Sequence, residues 1–70
     1  MGLMFEHEIK IGKDRYHELS DMSRWCSRQF GPGGYLKHQA NVWYMETALG
    51  NSVFRFKQER DATAFALKWL

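Results

Sequence analysis

The 70-residue sequence has one cysteine, Cys26, one proline and no long apolar run. A single cysteine excludes an internal disulfide and favours a reducing compartment. No stretch approaches the ~20 apolar residues that a membrane-spanning helix requires. The first residues also lack the basic flank and the apolar run of a signal peptide. Together these absences predict a cytoplasmic protein.

Motifs that would indicate an enzyme or a cofactor are missing as well. The three histidines, His7, His17 and His38, do not have the spacing of zinc ligands. Cys26 falls within a predicted buried stripe, where a thiol acts as a small apolar group. The run Gly31-Pro32-Gly33-Gly34 follows a predicted helix, whereas a phosphate-binding loop leads from a strand into a helix. We expect a turn at these glycines, no metal or other cofactor, and no enzymatic activity.

The residues that are present have the composition of a small packed domain. The sequence is 44% hydrophobic and 16% aromatic, which separates it from disordered chains. Its formal net charge of +2 is modest for an obligate nucleic-acid-binding protein. We expect one domain spanning residues 1–70 that folds by itself.

The first half of the chain has a strand pattern followed by a helix pattern. Apolar residues alternate with polar ones from Leu3 to Ile11, which predicts a strand with one buried face. Asp14 is expected to be the N-cap of a helix, and Gly31 is expected to end it. Apolar residues then recur at steps of three and four, typical of an amphipathic helix. This stripe consists of Tyr16, Leu19, Met22, Cys26 and Phe30.

Two further strand patterns, at 40–49 and 52–57, are joined through a glycine-asparagine pair. Glycine tolerates the positive φ of tight hairpin turns, so these strands should form a hairpin. A register that pairs Leu49 with Ser52 and Met45 with Phe56 makes one face of the hairpin apolar and the other charged. Phe54 and Phe56 are expected on the apolar face.

The last segment, from Glu59 to Leu70, has a second helical stripe that includes Phe65 and Trp69. The predicted order is therefore β-α-β-β-α. Right-handed crossovers would place the third strand between the first two and both helices on one face. We expect an α+β fold, a three-stranded antiparallel sheet with two helices on one face, like a truncated ferredoxin-like fold.

The open face of such a sheet is where RNA-recognition domains stack bases on aromatic side chains. Four residues on this face are candidate nucleic-acid-binding residues: Lys10, Tyr44, Arg55 and Lys57. Only Tyr44 is an aromatic residue that could stack a base, and neighbouring glutamates would repel phosphate. The alternative, which the sequence favours, is a solvated face of cross-strand charges.

Four other residues are candidates for binding a protein: Trp25, Arg28, Ala64 and Leu67. Trp25 lies away from the centre of the first apolar stripe, and Leu67 lies opposite Phe65 on the second helix. Tryptophan and arginine are over-represented at the centres of protein interfaces. The alternative is that Trp25 covers the edge of the core.

The run from Phe54 to Trp69 resembles the ends of small uncharacterised proteins encoded by tailed bacteriophages. In those proteins a Phe-x-Phe strand leads through a charged turn into an Asp-Ala-x-x-Phe-x-Leu-x-Trp helix, as in this sequence. The segment from Trp25-Cys26 to Phe30-Gly31-Pro32 is similar to theirs as well. The resemblance implies a phage protein made in the cytoplasm of a bacterial host.

The leading hypothesis is a non-enzymatic phage accessory protein that binds a host or phage protein. The resemblance supports it only by class membership, since many small phage proteins bind a host protein. The alternative is a weak nucleic-acid-binding module that uses the open face of the sheet. The chain is expected to be a monomer, or a homodimer paired through exposed strand edges.

Overall fold

A computed structural model of the chain describes residues 7–34, 40–48 and 50–70, without the side chain of Ala48. Over these residues the chain is a small α+β domain. Its elements in chain order are strand β1 (His7–Ile11), a 3-10 helix (Lys13–Glu18), helix α1 (Leu19–Phe30), strands β2 (Gly33–Gly34), β3 (Trp43–Ala48) and β4 (Asn51–Phe56), and helix α2 (Glu59–Trp69). No described helix is both long and apolar enough to cross a membrane.

The described strands form one mixed sheet in the order β1-β4-β3-β2. Strand β4 pairs antiparallel with β1 and with β3, which confirms the predicted central position of the hairpin's second strand. The prediction of a three-stranded antiparallel sheet, as in a truncated ferredoxin-like fold, is wrong. Strand β2 adds a fourth, parallel strand, in which Gly33 pairs with Trp43 and Gly34 with Tyr44.

Backbone pairing explains why two glycines form a strand where the sequence predicts only a turn. Glycine is depleted in strands, so the pattern carries no strand signal at these positions. The Val42 amide nevertheless donates to the Pro32 carbonyl at 2.9 Å, and this bond brings the two segments side by side. The Trp43 side chain adds a second link, because its Nε1 donates to the Gly31 carbonyl at 3.2 Å.

The hairpin of β3 and β4 forms as predicted, but its register differs by two residues. Ala48 pairs with Asn51, and Met45 pairs with Phe54 instead of Phe56. Side chains alternate with a period of two, so a shift of two residues leaves every side chain on its predicted face. The turn therefore includes Gly50, whose φ of 78° lies in the left-handed region that glycine adopts readily.

The chain enters α1 through the 3-10 helix, and not through a helix capped by Asp14. The N-cap positions of the two helices are Gly12 and Glu18, and neither makes a side-chain capping hydrogen bond. The predicted capping role of Asp14 is therefore wrong. Instead, long-range bonds hold this segment, because the Tyr16 hydroxyl donates to the Gly50 carbonyl at the hairpin turn.

One core lies between the sheet and both helices. Phe54 and Phe56 are fully buried on the sheet, as their predicted position on the apolar face requires. They share a cluster with Met22 and Cys26 of α1 and with Phe65 of α2. Both helices therefore cover the same face of the sheet, which confirms this part of the predicted fold.

Candidate protein-binding groove

Helices α1 and α2 meet through a cluster of aromatic rings centred on Trp25. The Trp25 ring centroid lies 5.4 Å from that of Phe30, 6.3 Å from Phe65 and 6.4 Å from Trp69. All three contacts have the edge-to-face geometry that aromatic pairs favour. Trp25 is partly buried and packs against the core, as expected if it covers the core's edge.

A groove of about 240 Å³ runs between the two helices beside this aromatic cluster. Its lining combines two indole rings, three cationic side chains and one carboxylate. The described residues that line it are Asp21, Arg24, Trp25, Arg28, Lys68 and Trp69. We call these six residues the α1–α2 groove.

The net positive charge of the protein is concentrated in the α1–α2 groove. The whole chain has ten Lys and Arg residues and eight Asp and Glu residues. Three of the cations and one of the carboxylates line the groove, which leaves seven of each sign elsewhere in the chain. The groove therefore carries a formal charge of +2, and the rest of the chain is formally neutral.

Two of the three cations in the groove have no carboxylate partner among the described residues. Arg24 Nη2 lies 3.1 Å from Asp21 Oδ1, so this cation is already paired. Arg28 is exposed, and it forms no ion pair within the part of the chain that the structure describes. The Lys68 ammonium lies 5.4 Å from the centroid of the Trp69 ring, within the range of a cation–π contact.

The last turn of α2 is held in place from the 3-10 helix, which positions Trp69 in the groove. The Arg15 guanidinium donates to the Trp69 carbonyl and also to both carboxylate oxygens of Glu18, at 2.8 and 3.2 Å. The hydrogen bond from Arg15 lowers the pKa of Glu18 below its usual value. A cation at a helix C-terminus is favourable, because the last carbonyls carry partial negative charge.

The Trp69 indole also carries a polar group that is not satisfied. Its Nε1 is buried and has no hydrogen-bond partner among the described residues. A buried donor without an acceptor is costly, so this N–H lowers the stability of the folded chain.

The structure separates the four residues predicted to bind a protein. Trp25 and Arg28 lie together in the α1–α2 groove, whereas Ala64 and Leu67 are not among its lining residues. Leu67 is 83% exposed on α2, as predicted from its position opposite Phe65. Four residues that line the groove were not predicted from the sequence: Asp21, Arg24, Lys68 and Trp69. Of these, only Asp21 and Arg24 had a local signal, their i, i+3 spacing.

The residues predicted to bind nucleic acid share one face of the sheet, but its main cation is already neutralised. Arg55 Nη1 lies 2.7 Å from Glu8 Oε2, and Arg55 Nε lies 3.1 Å from Glu46 Oε1. An arginine held by two carboxylates is less available to a phosphate group. This arrangement is the network of cross-strand charges that the sequence favoured for this face.

Tyr44 does not present the ring surface that base stacking requires. The tyrosine is 6% exposed, so the prediction of an accessible aromatic ring on the open face is wrong.

The backbone amide of Lys57 donates to the Val42 carbonyl at 3.2 Å, next to the start of β3. Lys10 is exposed on β1, opposite Val53.

Cys26 is fully buried in the core, and burial raises the pKa of its thiol to about 12. Such a thiol stays protonated at neutral pH and is a poor nucleophile. Within residues 7–34, 40–48 and 50–70, no group of three or more His, Cys, Asp and Glu side chains is arranged to hold a metal ion.

Comparison with known proteins does not identify the chain. No protein-family model matches it, and no curated protein or solved structure is similar enough to count as a match.

Proposed function

We propose that the chain is a non-enzymatic phage accessory protein that binds a host or phage protein through the α1–α2 groove. The observation that carries this proposal is the position of the protein's entire formal net charge beside two indole rings. Elsewhere on the chain, positive and negative side chains balance.

The residue types of the groove are those that contribute most to protein interfaces. Tryptophan and arginine are enriched among the residues whose truncation costs the most binding energy. Arg28 and Lys68 have no carboxylate partner among the described residues, so binding a partner does not require breaking an existing ion pair there. A concentrated positive charge also speeds the encounter with a negatively charged partner.

The alternative function, weak nucleic-acid binding on the open sheet face, has less support. Two carboxylates hold Arg55, and Tyr44 has little exposed ring surface. Of the four residues predicted for this role, Lys10 is the exposed one.

The experiment that tests the proposal is capture of partners from bacterial lysate, with and without nuclease, on the tagged 70-residue chain. The groove variant combines Arg28→Glu and Lys68→Glu. Arg60→Glu is the matched control, because Arg60 is 81% exposed on α2 outside the groove. Lys10→Glu tests the sheet face. Circular dichroism establishes that each variant is folded.

We expect one protein at near-stoichiometric yield that survives nuclease treatment, is lost with the groove variant and is retained with Arg60→Glu. Recovery that disappears with nuclease, or that depends on Lys10 and not on the groove, would instead favour nucleic-acid binding. Light scattering of the purified chain measures whether the partner is a second copy of the protein.

A further inference from the structure

We propose that the α1–α2 groove binds an acidic segment of its partner in extended conformation, with carboxylates at alternate positions. This inference rests on the proposed function and specifies the chemistry of the partner.

The size of the groove favours a few side chains of a protein over a complete small molecule. Its volume is about 240 Å³. Pockets for drug-sized ligands are usually larger, about 300–1,000 Å³, and enclose most of the ligand. A groove of this size accommodates one or two side chains of a segment that continues past it on both sides.

The charges of the groove select carboxylates. Arg28 and Lys68 lack carboxylate partners among the described residues, and they approach the groove from different helices. Arg24 is bound to Asp21 through one nitrogen, but a guanidinium has five N–H donors and can bind a second carboxylate. The groove therefore offers three cationic groups against one carboxylate of its own.

The backbone spacing of the two arginines matches that of alternate residues in an extended segment. Arg24 and Arg28 are four residues apart on α1, which corresponds to about 6 Å along the helix axis. Alternate residues of an extended chain are about 6.6 Å apart and point to the same side. The two glutamates of an extended Glu-x-Glu sequence therefore have nearly the same backbone spacing as the two arginines.

The arrangement of the rings disfavours a nucleic-acid ligand in this groove. Single-stranded nucleic acids stack their bases flat on exposed aromatic faces. The planes of Trp25 and Trp69 are at 90° to each other, so they do not form a parallel slot for a base. Trp25 is also in edge-to-face contact with Phe30 and Phe65.

The inference is tested by titrating the ¹⁵N-labelled full chain with an acetylated, amidated Gly-Glu-Leu-Glu-Leu-Glu-Gly peptide. The comparison peptide replaces each glutamate with glutamine. Oligothymidylate and inorganic phosphate are titrated in parallel. The readout is the indole N–H signals of the three tryptophans. Trp43 is the internal control, because it is 1% exposed and its indole N–H is bound to the Gly31 carbonyl.

We expect the acidic peptide to shift the signals of Trp25 and Trp69 and to leave that of Trp43 unchanged. The combined Arg28→Glu and Lys68→Glu variant should bind at least about fivefold more weakly, and Arg60→Glu should bind like the unmodified chain. Raising NaCl from about 50 to about 500 mM should weaken binding, because salt screens exposed charges.

Equal binding of the glutamine peptide would overturn the inference, as would tighter binding of oligothymidylate or the same shifts with phosphate alone. The two proposals fail in different ways. If the acidic peptide does not bind but the groove variant still loses the lysate partner, the acidic segment is wrong and groove binding stands. If the groove variant retains the lysate partner, the proposed function is wrong.

Discussion

The indole of Trp43 occupies the space above Gly33 where any other residue would have its Cβ. A Cβ built at position 33 would lie 2.1 Å from Cε2 of Trp43. The two residues pair across β2 and β3, and Trp43 is 1% exposed. This glycine therefore allows the large Trp43 side chain to be buried against the edge strand β2.

Replacing Gly33 with alanine should destabilise the fold by about 2 kcal/mol, because the methyl group overlaps a ring that the core holds in place. Urea denaturation followed by tryptophan fluorescence measures the change. Gly12→Ala is the matched control. There the new Cβ would meet only the carboxylate end of the flexible Asp14 side chain, and φ is an ordinary −70°. Equal stability of the two variants would contradict the close contact of Gly33 with Trp43.

Burial of Cys26 predicts a loss of stability in alkaline solution. Burial raises the pKa of the thiol from its ordinary 9.0 to about 12, and the charge of Asp61 adds to the increase. Above pH 9 the unfolded chain loses this proton and the folded chain keeps it, so stability falls as the pH rises. The slope from this group is at most about 1.4 kcal/mol per pH unit.

Urea denaturation at several pH values above 9, on the unmodified chain and on Cys26→Ala, isolates this contribution. The free energy of unfolding of Cys26→Ala should fall less steeply with pH, since the other groups that titrate in alkaline solution are the same in both chains. The same burial predicts slow reaction of the folded protein with a thiol reagent and rapid reaction in denaturant. Parallel pH profiles and fast labelling of the folded chain would show that the thiol is accessible.

The parts of the fold that could be predicted from the sequence are those that a local pattern of residues encodes. The faces of β3 and β4 follow from the alternation of residues such as Met45 and Glu46, and this pattern survives a two-residue error in register. The register itself depends on which residue takes the positive φ in the turn. Strand β2 has no side-chain pattern at all, because it consists of Gly33 and Gly34.

Only the part of the candidate site that lies on α1 could be predicted from the sequence. Trp25 and Arg28 are three residues apart on α1, so helical periodicity places them together. Lys68 and Trp69 reach the same groove from α2, at least 40 residues later along the chain, and no local pattern encodes that contact. The burial of Tyr44 likewise depends on tertiary packing and not on the alternation within β3.

The pair of Arg15 and Glu18 predicts a specific loss of stability in acid. The hydrogen bond from Arg15 lowers the pKa of Glu18 below its ordinary 4.5 in the folded chain. The contribution of the pair to the free energy of unfolding is therefore complete above pH 4.5. It is lost as the pH falls through the lower pKa that Glu18 has in the folded chain. Glu18→Gln should lower the melting temperature at neutral pH, and its difference from the unmodified chain should shrink in acid.

A double-mutant cycle of Glu18→Gln and Arg15→Gln measures the coupling of the pair. Arg15→Gln should cost more than Glu18→Gln, since Arg15 also binds the Trp69 carbonyl. A difference between Glu18→Gln and the unmodified chain that does not change with pH would show that the carboxylate charge does not contribute.

Trp25 and Leu67 were both predicted from sequence to bind a partner. Substitution of Trp25 should destabilise the fold, whereas substitution of Leu67 should leave its stability almost unchanged. Trp25 contacts the rings of Phe30, Phe65 and Trp69, so Trp25→Ala should cost about 3 kcal/mol, and Trp25→Phe should cost less. Leu67 is 83% exposed, and Leu67→Ser should change stability by less than about 0.5 kcal/mol. Urea denaturation of the three variants measures these differences.

Loss of a partner with Leu67→Ser would therefore report on binding, whereas loss with Trp25→Ala would also reflect unfolding. Equal stability of Trp25→Ala and Leu67→Ser would mean that Trp25 does not join the two helices in solution.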